Sequence, residues 1–247
     1  GLVGSEMCIR DSYINNENKT TGGWGENFTF SVFTRDRFGR NVTVYAWHRL
    51  VGSATWLLID NWTCVDCLNW TQVNFTYDYL HSDIGTWEFK FNASNEDGNS
   101  EIYGYTYVVE KDDIEVYNVS PGWNEIVNRS EAFNFTIRIY DTDNQSWAAV
   151  LAFGQDYIEI SKYGSSETFQ RFYPDPAIDP SGYARVEMEN SSSKWCQDFF
   201  YLGPNYWRGG VSGATYYKDN STGVIPFLLY GQLSSSLILP DGTTNYT

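Results

Sequence analysis

The segment Glu26-Asn27-Phe28-Thr29-Phe30-Ser31-Val32-Phe33-Thr34-Arg35-Asp36 returns, altered, as Glu131-Ala132-Phe133-Asn134-Phe135-Thr136-Ile137-Arg138-Ile139-Tyr140-Asp141. Phe28, Phe30, Val32 and Asp36 fall on Phe133, Phe135, Ile137 and Asp141. Both copies alternate apolar and polar residues with period two, the pattern of a strand with one buried and one wet face. A chain that uses such a strand twice is expected to be a duplicated sheet structure.

The rest of the chain agrees with an all-β fold. With 247 residues it is long enough for two domains with their own cores. Aromatic residues make up 18 %, which favours strands. Strands are expected over Phe28–Arg35, Val42–Leu50, Trp56–Asp60, Trp70–Tyr79, Thr86–Ala93 and Ile102–Val109, separated by Gly/Asn/Asp turns. Short strands at this spacing point to a β-sandwich. Val42–Leu50 lacks clean parity, because Val44 and Trp47 fall on opposite faces, and a bulge or a crossing between sheets is expected there. The charged break Lys111-Asp112-Asp113 marks a domain boundary. A second echo sets Asp179–Tyr183 and Arg185–Met188 against Asp83–Trp87 and Glu88–Phe91. Ser161 to Pro180 reads as an elaborated loop. No window has the length and apolarity of a membrane span.

The expected organisation is an N-terminal segment over 1–23, a first sandwich over 24–110, a second over 114–223 with long loop insertions, and a strand region over 224–247. Residues 1–12 match nothing that follows, resemble translated adapter sequence, and are set apart from the fold. With no start Met in view, the chain is expected to be a fragment or a processed form.

Fourteen Asn-x-Ser/Thr sequons fix the expected compartment: Asn18, Asn27, Asn41, Asn61, Asn69, Asn74, Asn92, Asn118, Asn128, Asn134, Asn144, Asn190, Asn220 and Asn245. Chance would supply roughly three or four. The excess implies an extracellular or cell-surface protein carrying covalent N-glycans. Asn27, Asn74, Asn92 and Asn134 lie opposite the apolar parity of their strands, as a solvated sugar requires. The net charge of −15 excludes nucleic acid as a partner and suits a soluble surface with at most weak cation binding.

Cys64-Val65-Asp66-Cys67 leaves three states open: a disulfide, free thiols, or redox or metal chemistry. An oxidising compartment and a four-residue turn favour the disulfide, expected to pin a hairpin whose arms carry Asn61 and Asn69. Cys196 is left over. Asp141-Thr142-Asp143-Asn144-Gln145-Ser146 has calcium-loop spacing in its first three ligands but lacks the Gly and distal Glu of an EF-hand, so a solvated hairpin turn is preferred. Trp195, Phe199, Phe200, Tyr201, Tyr206 and Trp207 are assigned to an inter-domain seam, with a sugar-stacking platform as the alternative. No nucleophile elbow, zinc-protease or phosphate-loop motif occurs, so no enzyme, metal or cofactor is expected.

Tandem units with Asn-Phe-Thr-Phe-x-Val strands, an Asp-x-x-Gly-type turn, the Ile-Gly-Thr-Trp-x-Phe strand at 84–89 and many sequons resemble the Ig-like domains of archaeal-type cell-surface glycoproteins. The resemblance covers residues 24–203 and extends to 224–247. It implies Ig-like sandwiches in a structural subunit of a filament, stalk or surface layer that assembles head to tail with copies of itself. The alternative is a carbohydrate-binding or adhesive surface module with glycan contacts. The first unit is poor in an opening strand, whereas the chain ends in a surplus one. Phe227, Leu228, Leu229, Tyr230 and Leu233 are therefore candidates for a strand donated to a neighbour, or for the start of a third unit.

Overall fold

The computed structural model describes the main chain of residues 7–14 and residues 20–129, 131–148, 156–161, 164–171, 176–188 and 202–231. It is all-β, built as two sandwiches in tandem. In the first, one sheet has the order β1 (Met7–Ile14), β3 (Asn27–Asp36), β6 (Thr71–Asp78). The facing sheet has the order β2 (Thr21–Gly23), β8 (Gly98–Glu110), β7 (Gly85–Asn95), β4 (Val42–Leu50), β5 (Leu57–Cys64). Period two dictates what lies between them. Phe28 and Phe30 meet Phe89 and Tyr107, and Phe75 meets Phe91, with ring centroids 5.2–6.0 Å apart, and Val32 is buried with them. Burying each such ring contributes on the order of 2–3 kcal/mol.

The second sandwich repeats the plan around β11 (Phe133–Asp141). β9 (Ile114–Ser120) lies on one side of it, and β15 (Tyr183–Met188) and β12 (Ser146–Trp147) on the other. The facing sheet has the order β10 (Glu125–Asn128), β18 (Ile225–Tyr230), β16 (Gly203–Val211), β13 (Asp156–Ser161), β14 (Phe169–Arg171), with β17 (Asn220–Ser221) beside β16. Phe135 is the keystone, its ring edge-on to Trp207 at 5.3 Å and to Phe227 at 5.5 Å.

Three expectations are corrected. Met7–Ile14, set apart as foreign to the fold, pairs antiparallel with β3 and supplies the first sandwich's missing opening strand. Ile225–Tyr230 is neither a donor strand nor the start of a third unit. It pairs with β16 and β10 of its own sandwich, burying Phe227 and Leu229 while Leu228 and Tyr230 face outward. Leu233 lies outside the described residues. The echo of Asp83–Phe91 in Asp179–Met188 is not structural: β15 pairs with β11, as β6 pairs with β3, whereas β7 belongs to the opposite sheet. The irregularity expected within Val42–Leu50 is present, while β4 itself keeps strict alternation, with Val42, Val44, Ala46 and His48 buried. Its pairing to β5 shifts register between Ala46 and Trp47. The parity conflict arises because Tyr45 and Trp47 are half-buried on the outer face.

Candidate functional site

No cleft with converging catalytic groups appears among the described residues. A shallow depression of about 320 Å³ beside β17 is lined by Tyr157, Val211, Ser212, Asp219, Asn220 and Ser221. The chemistry concentrates instead at the junction of the two sandwiches.

That junction is built from the linker after β8, the start of the first sandwich, the turn after β11, and residues 214–220. The linker adds a bridge at Asp112 against Tyr217: Asp112 N donates to Tyr216 O at 3.0 Å and Lys218 N donates to Asp112 O at 2.9 Å. Trp24 donates its indole N–H to Tyr216 O at 2.6 Å, and its ring stands edge-on to Tyr217 at 5.2 Å. The His81 ring lies 4.4 Å from Tyr216. Lys218 Nζ reaches Glu110 at 2.8 Å and Asp113 at 3.1 Å, and Lys111 Nζ donates to Ala214 O at 2.6 Å. The expected seam at Trp207 is corrected: Trp207 is fully buried within the second sandwich and donates to Pro121 O. Trp195, Phe199, Phe200, Tyr201 and Cys196 lie outside the described residues.

The repeated aspartates resolve into two versions of one device. Asp36 closes β3 and is fully buried. Its carboxylate accepts from the N–H groups of Phe38 and Arg40 and from Asn95 Nδ2, and pairs with the Arg40 guanidinium at 3.2 Å. Burial alone would raise its pKa, but the Arg40 and Phe38 hydrogen bonds and the Asn95 amide outweigh that and hold it below the ordinary value. Asp141 closes β11 in the same way, accepting from Asn144 N and Nδ2 at 2.9 Å and from the Tyr217 hydroxyl at 3.0 Å. Four residues on, where the first sandwich has Arg40, stands Gln145.

The Asp141 turn is a hairpin, as expected, with Asp141 opposite Ser146. It is not wholly solvated, because Asp141 is buried and Asp143 half-buried against the linker. Asp112, fully buried, is pushed well above the carboxylate range by burial first, then by Asp143 and Asp141 beside it. Burial, Asp141 and Asp112 likewise raise the Tyr217 hydroxyl.

Cys64 and Cys67 form a disulfide with Cα atoms 5.4 Å apart. It does not pin a hairpin: β5 and β6 lie in opposite sheets, so the bonded turn is a crossover between them. The turn is stitched to the β3–β4 connection through Asp36 N to Cys67 O, Cys67 N to Arg40 O and Asp66 N to Asn41 Oδ1.

Of the sequon residues, Asn27, Asn41, Asn61, Asn69, Asn74, Asn118, Asn134, Asn144 and Asn220 are exposed, and Asn92 and Asn128 are half-buried. Asn18, Asn190 and Asn245 lie outside the described residues. Sequence reasoning missed an aromatic face on the outside of the five-stranded sheet. Trp56 lies there under the Arg49 guanidinium at 4.4 Å and Lys90 Nζ at 4.8 Å, and Lys90 also caps the exposed Tyr103 ring. The uneven parity of Tyr45 and Trp47 was its signal.

No group of three or more His, Cys, Asp or Glu is arranged to hold a metal ion among the described residues, and no helix there is long and apolar enough to cross a membrane. No protein-family model and no curated protein matches the chain. Among solved structures it is similar to the native conformation of Escherichia coli alpha-2-macroglobulin, at 12 % identity and a TM-score of 0.27, over 93 % of this chain and 14 % of that one. The chain thus spans about a seventh of that protein, a likeness too weak to carry an argument.

Proposed function

We propose that this chain is part of an extracellular, heavily N-glycosylated structural protein, a subunit of a filament or surface layer assembled head to tail. The observation that carries this reading is the placement of the sequons. They are far more numerous than chance supplies, and the described ones are spread over both sandwiches with none in a core. The hydrogen-bonded junction supports it, because a load-transmitting rod needs its units fixed relative to one another. Electron microscopy of native material, with glycopeptide mass spectrometry of the same sample, tests it. Ordered fibres or lattices with most sequons occupied are expected. Dispersed particles with fewer than about a third occupied would overturn it.

A second reading, a carbohydrate-binding or adhesive module, is favoured by the aromatic face around Trp56 and Tyr103, since such rings stack on sugars. A glycan array separates the two: selective binding lost in Trp56→Ala supports adhesion, and none is expected of a purely structural subunit.

A further inference from the structure

The outer face of the five-stranded sheet sets two sequons beside one aromatic ring. β4 lies between β7 and β5. Tyr45 stands opposite Asn92 of β7 on one side and opposite Asn61 of β5 on the other. All three point away from the core, because Val44, Ala46, Phe91 and Ala93 take the inner face. The Thr43 and Thr63 hydroxyls, two residues on, meet at 3.0 Å on the same outer side. Directly opposed side chains have Cβ atoms about 5 Å apart, so an Asn modified at either position starts its sugar chain next to the Tyr45 ring.

Trp47 extends the platform. Its ring lies 6.4 Å from that of Tyr45 with 31° between the planes, and both are half-buried. It pairs with Lys90, two residues before Asn92, and is therefore a diagonal neighbour of Asn92, about 7–8 Å away. The other rings of this face are covered by the chain's own cations, Trp56 by Arg49 and Lys90, and Tyr103 by Lys90. In the second sandwich Arg138 covers Trp147 at 3.4 Å. Among the described residues no cation lies over Tyr45 or Trp47. The Asn92 amide is half-buried, and its Nδ2 donates to Glu101 Oε1 at 3.3 Å. Glycosylation replaces one of the two hydrogens on that nitrogen, and the other can keep this bond.

We propose that the first sugars of an N-glycan on Asn92 lie across Tyr45 and Trp47, so that the chain's own carbohydrate covers this part of the sheet and stabilises it. A pyranose ring has an apolar C–H face and a polar rim. Laid on the two rings, it removes apolar surface from water on both sides of the contact while its hydroxyls stay wet. Asn92 is better placed for this than Asn61. β7 is an inner strand, with β4 and β8 on either side of it, so a glycan on Asn92 starts above the sheet. β5 is an edge strand, and a glycan on Asn61 can hang past that edge into solvent. This inference rests on the glycoprotein reading and gives one of its glycans a structural task. It does not depend on filament assembly.

The test is thermal unfolding of the full chain, secreted from a glycosylating host and, as reference, made unglycosylated in a bacterial periplasm. Ser94→Ala withdraws the sequon and leaves Asn92 in place. The glycosylated wild type is expected to melt about 2–4 °C above glycosylated Ser94→Ala, once the difference between the unglycosylated pair is subtracted. Tyr45→Thr should cut this increment to below about 1 °C, and Tyr45→Phe should keep it. No increment in the wild type, or one unchanged in Tyr45→Thr, overturns the proposal. Glycopeptide mass spectrometry of the same samples tells two failures apart. An empty Asn92 in a chain whose other sequons are mostly occupied overturns this inference alone, whereas a chain with almost none occupied overturns the glycoprotein reading with it. Should Tyr45→Thr fail to fold, NMR of the wild type carrying 13C-labelled glycans reads the contact directly. Sugar protons shifted upfield by ring currents and missing from Ser94→Ala support it, and a wild type without such signals overturns it.

Discussion

His48 Nδ1 lies 2.5 Å from the Tyr79 hydroxyl inside the first sandwich, and Tyr79 in turn meets the Tyr107 hydroxyl. The imidazole is stacked on Trp87 at 5.0 Å and almost fully buried. Burial lowers its pKa to about 4, with Asp83 pulling the other way. The unfolded chain, with an ordinary histidine near 6.5, therefore binds more protons between pH 6.5 and 4. Stability in this window falls as pH falls, by about 3 kcal/mol at pH 4. Urea unfolding at pH 7 and pH 4 should show that loss, and His48→Gln, which can still bond to Tyr79, should reduce it. An unchanged pH slope in His48→Gln would assign the loss to carboxylates.

Two glycines let core rings and strands touch. A Cβ on Gly104 would stand 2.1 Å from the Phe89 ring, and one on Gly209 would stand 2.4 Å from Ile137 Cγ2. Neither neighbour can retreat, since Phe89 and Ile137 are themselves buried. Gly104→Ala and Gly209→Ala should each destabilise the chain by about 1–3 kcal/mol through overpacking. Denaturant midpoints at matched m-values check this, and Gly52→Ala, at an open turn with φ of 91°, separates overpacking from simple backbone strain.

Reduction should cost little. The Cys64–Cys67 loop is so short that the chain-entropy model assigns it about 2 kcal/mol. Cys64→Ser/Cys67→Ser should lower stability by that amount, read from denaturant midpoints. Non-reducing peptide mapping should recover the Cys64–Cys67 link.

Glycan occupancy should be uneven. Asn144 Nδ2 donates to Asp141 and Asn220 Nδ2 to Ile114 O, both beside the junction, so a sugar on either must displace or share a structural bond. Site-resolved glycopeptide mass spectrometry should find Asn144 and Asn220 below Asn27, Asn41 and Asn134. Equal occupancy would show that these bonds yield to the glycan.

What the sequence determined by itself is local. Period two placed β3, β4, β6, β7 and β8 within a few residues, because a side chain's face depends only on its parity along the strand. The same parity set Asn27, Asn74 and Asn134 outside, and four-residue spacing put Cys64 and Cys67 within disulfide reach. The tertiary structure alone decided what depends on partners far along the chain. An apolar strand such as Ile225–Tyr230 carries no mark of which sheet it joins, and the echo at Asp179–Met188 did not record a position in the fold. Lys111-Asp112-Asp113 reads as a charged break because charge is a property of the residue. Burial is a property of the fold, and only the docking of Tyr216 and Tyr217 against Trp24 takes Asp112 out of water and sets it against Asp143.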